Sequence, residues 1–573
     1  MSWIGSLQAL PEQSQKYIPE EYQKYAPHLW LLGAGVIGIY LLRGLFSYFK
    51  ILREVRGLPV KHGFFPAYEQ GLRARVPHIP YILPIKDFYS RPEWDRFEKP
   101  RSDLLAYTVA TQHRAIYWVA NPYTAQHVFT KTSLFEKPTF HPRYVAAAKF
   151  GGNIISASDG DDHRRHKSVV RGCFGEEIFR NAWEEMDKTV ELFLDEDKLR
   201  EGGVMEDVGA TTIKMTYIVI GKVGFGHDIP WDSQRSKKGE KIGFVESYEI
   251  VDRTMLYQFT LPLWIIKILP TKELRRMGDG RTAFLGYCYE MARSKRAELN
   301  ALREAGEKSK APVDLLGAMV HAQLVAEEEA RLKHGHEFTP NVGLTENEVI
   351  GNMCEAGHET TGHTFAFTLA QLALHPEWQE EVYKEIKEVC GDEKPSYRDV
   401  HKLPLCLAVG LEAMRLTDIV RQLFKVAKED SMLPYTTWNE AGEVTKREHL
   451  VKKGSLIYID TPASQLNPFY WKDANEFNPR RHLGADDARA SLNNAEVPFV
   501  AFSMGPRQCI GRRFAEVEII CVIASILSRY IIHPVPTHAG ETKDSMEERM
   551  IGSAVEDVTM TPGKFRVRLE KRH

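Results

Sequence analysis

The run Phe502-Ser503-Met504-Gly505-Pro506-Arg507-Gln508-Cys509-Ile510-Gly511 surrounds one cysteine with features that favour a thiolate. Arg507 brings a fixed cation, and a helix beginning near Gly511 would aim its positive amino-terminal end at the sulfur. Gly505 and Gly511 let the backbone bend tightly and approach a flat group, while Phe502 can pack over a ligand and limit water. A thiolate held in this way is a ligand for iron. The seven cysteines, at 173, 288, 354, 390, 406, 509 and 521, are far apart and include no Cys-x-x-Cys pair. This spacing argues against a disulfide scaffold or a structural zinc site.

A second constellation is Ala356-Gly357-His358-Glu359-Thr360-Thr361, an acid followed by alcohols inside a helical pattern. An acid can relay protons from solvent, and an adjacent hydroxyl can hold a small polar ligand or a water. The same run continues to Gly362-His363 and nearly reads as a zinc-hydrolase motif. Its histidines are five apart, however, and point about 140° away from each other on a helix. Glu412 and Arg415 are three apart on one helix face, where they can form an ion pair.

The cysteine run matches Phe-x-x-Gly-x-Arg-x-Cys-x-Gly and so resembles the heme-binding signature of the cytochrome P-450 family. The resemblance covers about residues 50 to 573 and extends to the other motifs in the family's order. It implies heme b with Cys509 as the axial ligand to iron, and the catalytic pair Glu359 and Thr360 as the oxygen-activating acid and alcohol. Protons delivered there would let the O–O bond break heterolytically. Glu412 and Arg415 look like the family's Glu-x-x-Arg pair, and Arg481 in Phe477-Asn478-Pro479-Arg480-Arg481 supplies the third member. These three would form a buried structural network that holds the cysteine loop. The heme propionates need cations, for which Arg507, Lys425, His163 and Lys167 stand in the family's places. Lys425 replaces a frequent Arg, and His163 with Lys167 replaces Trp-x-x-x-Arg. Leu416-Thr417-Asp418-Ile419-Val420 also lacks the Pro residues often found after the Glu-x-x-Arg helix, which affects pocket shape.

The implied reaction is a monooxygenation: one oxygen atom enters an apolar substrate, by hydroxylation or epoxidation, with NADPH electrons passed on by a separate reductase. Cytochrome b5 is a further possible donor. Alternatives of other kinds are a heme-thiolate isomerase or dehydratase that needs no dioxygen, and a non-enzymatic heme-binding membrane protein. The general style of the sequence resembles fungal members, which suggests secondary metabolism. Pocket side chains are expected near 135–155, 351–361, 417–423 and 550–555. No dinucleotide- or flavin-binding fingerprint occurs in the chain, consistent with a separate electron donor.

These residues need elements to position them. Thr345 with Glu348 forms a capping box, and His375-Pro376 closes the helical pattern, predicting one helix of about 45 Å through the acid–alcohol segment. Leu104 to Thr111 and Ala115 to Val119 alternate as a short hairpin. Phe174 to about Phe424 reads as mainly helical, Lys425 to Phe502 as extended segments and loops, and a helix follows Gly511. The fold class is therefore mainly α with small β-sheets; the family fold adds a triangular α-rich domain and a β-rich lobe.

Charge is balanced, with 75 Lys+Arg against 77 Asp+Glu and a formal net charge of -2, so no basic field exists to attract nucleic acid. Leu29 to Leu42 is unbroken apolar sequence continuing to Phe49, with Lys50, Arg53 and Arg56 behind it. This predicts a single-pass amino-terminal anchor at about 29–49, in contact with membrane lipid. The division is then 1–50 anchor segment and 51–573 catalytic domain, cytosolic at the endoplasmic reticulum. A cleaved signal peptide and a helix lying in the interface are the alternatives. The apolar run Leu261 to Pro270 is either a second lipid contact or a core helix end.

Overall fold

Alternation in the 104–119 stretch produces a hairpin. In the computed structural model, Leu104–Val109 pairs antiparallel with Ile116–Val119, Leu104 opposite Val119 and Tyr107 opposite Ile116. The structure describes residues 26–63 and 94–572, apart from 110–112, 197, 232–240, 255–256, 259–265, 267–270, 306–313, 335–342, 355–356, 485–496 and 557. Most of the Leu261–Pro270 run lies outside the described residues.

Among the described residues, the hairpin belongs to a six-stranded sheet. Its order is Val60–Gly63, Leu104–Val109, Ile116–Val119, Leu456–Asp460, Gln422–Ala427 and Phe135–Glu136. Both faces of the hairpin are buried. Leu104, Ala106, Tyr117 and Val119 join one apolar cluster, and Leu105, Tyr107, Ile116 and Trp118 join another. The period of two thus divides side chains between two cores instead of between core and water. Lys425 rides on Gln422–Ala427, between Leu456–Asp460 and Phe135–Glu136.

The largest core gathers the helices Glu176–Glu196, Val208–Val219, His358–Leu374, Pro404–Leu416 and Arg512–Leu527. Residues Thr361 to Leu374 are buried without exception, as are Phe514 and Glu516 to Leu527. Helices apolar on every face belong at the centre of a large fold. The observed architecture is helix-rich with small sheets, as the sequence predicts.

The expected 45 Å helix is interrupted. Glu346–Cys354 and His358–Leu374 are separate helices, and Gly357 between them has ψ 41, outside helical geometry. The Thr360 and Thr361 hydroxyls both donate to the Gly357 carbonyl, at 3.0 and 3.3 Å. Both hydroxyls thus bond back onto the N-cap carbonyl of their own helix. The capping box does form: Glu348 N–H donates to Thr345 Oγ1 at 3.2 Å, and Thr345 N–H donates to Glu348 Oε2 at 2.8 Å.

At the amino end, Ala26–Glu54 is one helix. Its last turn places Ile51, with Val55 just beyond, in the sheet-side core, while Ile39, Leu42, Leu45, Phe46 and Phe49 are exposed. No helix among the described residues is long and apolar enough to cross a membrane. A spanning helix at 29–49 is therefore not shown.

Candidate active site

Cys509 lies just before the Arg512–Leu527 helix, and Phe502 O accepts its backbone N–H at 2.9 Å. Crowding by surrounding protein pushes the thiol pKa up; the N–H groups of Gly511 and Arg512 and the Arg512 charge pull it down. The helix start thus works against the larger effect of burial, which favours the neutral thiol. The side chain itself is exposed, unlike those of the other cysteines. Phe502 packs into the main core instead of lying open.

The two glycines of the loop differ. Gly505 has φ +67, and a Cβ there would meet Phe129 O at 2.7 Å, so both conformation and close approach demand glycine. Gly511 has φ -82 and would meet nothing within 4 Å, so no tight bend is needed there. Its N–H, directed to the sulfur, is what the site uses.

The basic residues form a cluster beside this loop, arranged around a carboxylate that sequence reasoning missed. Arg507 donates from Nε to Asp159 Oδ1 at 2.5 Å, and to the carbonyls of Ile154 at 3.0 Å and Ala157 at 2.7 Å. Lys425 Nζ is 3.9 Å from Asp159 Oδ2, buried, and without a hydrogen-bond partner among the described residues. Burial pushes the Lys425 pKa down, and Asp159 opposes that. Lys167 Nζ donates to Pro506 O at 2.6 Å, which ties its helix to the cysteine loop.

Burial, with Arg507 and Lys167 nearby, pushes the His163 pKa down to about 4, so at neutral pH it is an uncharged hydrogen-bonding group. Asp159 gives no signal in the sequence, because an Asp before Gly160 reads as ordinary turn chemistry.

Glu359 and Thr360 lie in the first turn of His358–Leu374, where the helix dipole favours a carboxylate. Ala356, the first residue of the expected segment, lies outside the described residues. Glu359 Oε1 accepts from Thr559 Oγ1 at 2.5 Å, and Thr559 Oγ1 also meets His363 Nδ1 at 3.1 Å. His358 turns elsewhere: its Nδ1 is 2.5 Å from Tyr248 OH, and its ring meets Tyr217 edge-on. The two histidines of the near-zinc motif therefore engage different partners. His358 is a buried, packed side chain.

Of the segments expected to line a pocket, 135–155 meets 351–361, and both 135–155 and 417–423 touch the 558–560 stretch just beyond 550–555. Ile154 N–H donates to Asn352 Oδ1 at 3.0 Å, Arg143 to Val558 O at 3.0 Å, and Met560 N–H to Ile419 O at 2.9 Å. Phe140, Val145 and Ile155 are exposed.

Glu412, Arg415 and Arg481 come together as one network. Arg415 donates twice to Glu412, at 2.8 and 2.9 Å, and Arg481 Nε donates to it at 3.2 Å. His482, unforeseen in the sequence, donates from Nε2 to Glu412 at 3.1 Å. Despite desolvation, these donors hold the Glu412 carboxyl down to about 2. Arg415 also donates to the carbonyls of Gln465, Ala474 and Glu476. The network thus ties its helix to the 465–482 segment.

These residues fit a heme. A thiolate ligand at a helix start, beside a buried ammonium that lacks a hydrogen-bond partner, matches a metal macrocycle bearing acidic side groups. Comparison with known proteins agrees. Cytochrome P-450 monooxygenase 124 of Postia placenta is 31% identical over 447 residues, covering 77% of this chain and 80% of the relative. Secologanin synthase 2 of Catharanthus roseus is 28% identical, covering 73% and 74%. The crystal structure of the cytochrome P-450DA heme domain superposes with a TM-score of 0.65 at 19% identity, covering 90% of this chain and 99% of that one; it supports the fold. The sequence model of the Cytochrome P-450 family matches residues 105–561, and the chain belongs to that family of heme-thiolate monooxygenases.

Proposed function

We propose that this monooxygenase inserts one atom of dioxygen into an apolar small molecule, with electrons passed from NADPH by a separate cytochrome P-450 reductase. The observation that carries the reading is the placement of Glu359 and Thr360 in the first turn of the helix that begins at the break after Gly357. Relatives that rearrange or dehydrate substrates have no need of an acid–alcohol pair, so this placement favours monooxygenation.

Bound heme supplies the redox-active iron that activates dioxygen. Cys509 Sγ would be its ligand, and the Gly511 and Arg512 N–H groups with the Arg512 charge oppose the rise in thiol pKa that burial causes. Lys425, Arg507 and Lys167 offer charge to the propionates, and neutral His163 offers a hydrogen bond. Glu359 holds and releases protons at its carboxylate, and Thr360 Oγ1 is free to exchange the Gly357 carbonyl, 3.0 Å away, for a polar ligand. Exposed Phe140, Val145 and Ile155 suit an apolar substrate. The similarity to a Postia placenta monooxygenase supports a fungal type of enzyme.

The amino-terminal helix extends this reading. Ile39, Leu42, Phe46 and Phe49 follow i, i+3, i+7, i+10 and are all exposed, forming one apolar stripe. We place this stripe against lipid at the cytosolic face of the endoplasmic reticulum, where an apolar substrate would dissolve. Vesicle flotation of the I39D/F46D variant checks this, and undiminished flotation would sink it.

The functional test uses protein reconstituted with reductase, NADPH and isotopically labelled dioxygen. Product carrying one labelled oxygen atom per turnover is expected. Product formed equally well without dioxygen and reductase would establish the isomerase or dehydratase reading instead.

A further inference from the structure

Two buried side chains stand behind Glu359 that the reaction described above does not use. Thr559 sits in the turn joining Val555–Glu556 to Met560–Thr561, and its Oγ1 donates to Glu359 Oε1 at 2.5 Å. His363, four residues beyond Glu359 on the same helix, meets that hydroxyl through Nδ1 at 3.1 Å. Both are buried, Thr559 at 5% and His363 at 1% exposure.

One hydroxyl has one proton. With that proton given to the Glu359 carboxylate, Thr559 Oγ1 can only accept from His363, which must then carry hydrogen on Nδ1. Burial, with His358 nearby, pushes the His363 pKa down to about 3, so the ring is neutral and keeps a single hydrogen. The turn is itself fixed. Met560 N–H donates to Ile419 O at 2.9 Å, Val558 O accepts from Arg143 at 3.0 Å, and Met560 packs on Phe367 and Ile419.

We propose that Thr559 and His363 are positioning residues for Glu359, forming a directed chain from imidazole to hydroxyl to carboxylate that fixes the orientation of the acid. The inference rests on the reading of Glu359 as the proton-relaying acid. The hairpin that presents Thr559 also docks on the 417–423 segment expected to face substrate. The acid is thereby tied to the pocket wall, and displacement of that wall displaces Thr559.

The test compares Thr559→Val, Thr559→Ser, His363→Leu and Glu359→Gln as reconstituted holoenzymes with reductase. NADPH consumption is measured in light and heavy water, and the reduced carbon-monoxide spectrum monitors folding. Thr559→Val is expected to slow NADPH consumption roughly tenfold, since a hydrogen bond to a charged group is lost, and to enlarge the solvent isotope effect as proton delivery becomes limiting. Thr559→Ser restores both, which a purely structural role for the threonine methyl would not predict. His363→Leu gives a smaller change in the same direction, and decides the matter if Thr559→Val loses its spectrum. Normal rate and isotope effect in both Thr559→Val and His363→Leu, with Glu359→Gln impaired, would overturn the inference. A normal Glu359→Gln enzyme would overturn the reading beneath it.

Discussion

Cys509 is the cysteine whose side chain is exposed, and N–H groups at a helix start are directed to it. Cys509→Ala should therefore yield protein with native helix content by circular dichroism but no thiolate-heme spectrum. The Thr360 hydroxyl donates to the Gly357 carbonyl, three residues earlier on the chain. Thr360→Ala should leave heme and substrate binding intact while diverting reducing equivalents to hydrogen peroxide; tightly coupled product formation in this variant would remove Thr360 from the mechanism. Lys425 is buried 3.9 Å from Asp159 with no hydrogen bond, a costly arrangement in the bare polypeptide. Lys425→Met should weaken heme binding roughly tenfold in titrations, yet leave the heme-free chain at least as resistant to urea. A heme-free variant that unfolds more readily would show Lys425 to be a structural residue. Cys509, Glu359 and Thr360 were legible because metal ligation and proton delivery constrain residue type. Asp159 and Thr559 were not, since each acts through a partner hundreds of residues away.

At the scale of elements, the Glu412 network bears the most weight. Arg415 is fully buried, and every one of its side-chain bonds ends on Glu412 or on carbonyls of the 465–476 stretch. Glu412→Gln leaves buried cationic groups without their counter-charge and should cost about 3–5 kcal/mol in denaturant unfolding. A loss below about 1 kcal/mol, the range of an exposed pair, would contradict the network's role. The capping box and the start after Gly511 could be read from sequence because caps depend on residues within a turn. The break at Gly357 could not, because local propensity continues through it. What the break involves includes a long-range bond, Thr216 Oγ1 donating to His358 O at 2.9 Å. The hairpin at 104–119 was legible by alternation, whereas its place inside a six-stranded sheet depended on strands at 422–427 and 456–460.

Across the whole molecule, buried titratable groups make folding sensitive to acid. His363 has its pKa pushed down to about 3 from 6.5, so the folded state binds fewer protons than the unfolded state between those values. Its contribution is present above pH 6.5 and is lost as pH falls towards 3. Glu412, held down to about 2 from 4.5, adds a second loss below pH 4.5. Thermal stability should therefore decline in two stages on acidification, and His363→Leu should flatten the first; an unchanged first stage would refute that assignment. The most direct test of the central claim is the reduced carbon-monoxide difference spectrum of the purified protein. A strongly red-shifted Soret band that disappears in Cys509→Ala is the result expected of a heme held by this thiolate. A band at the position of histidine-ligated heme, or well-folded protein that takes up no heme, would contradict it.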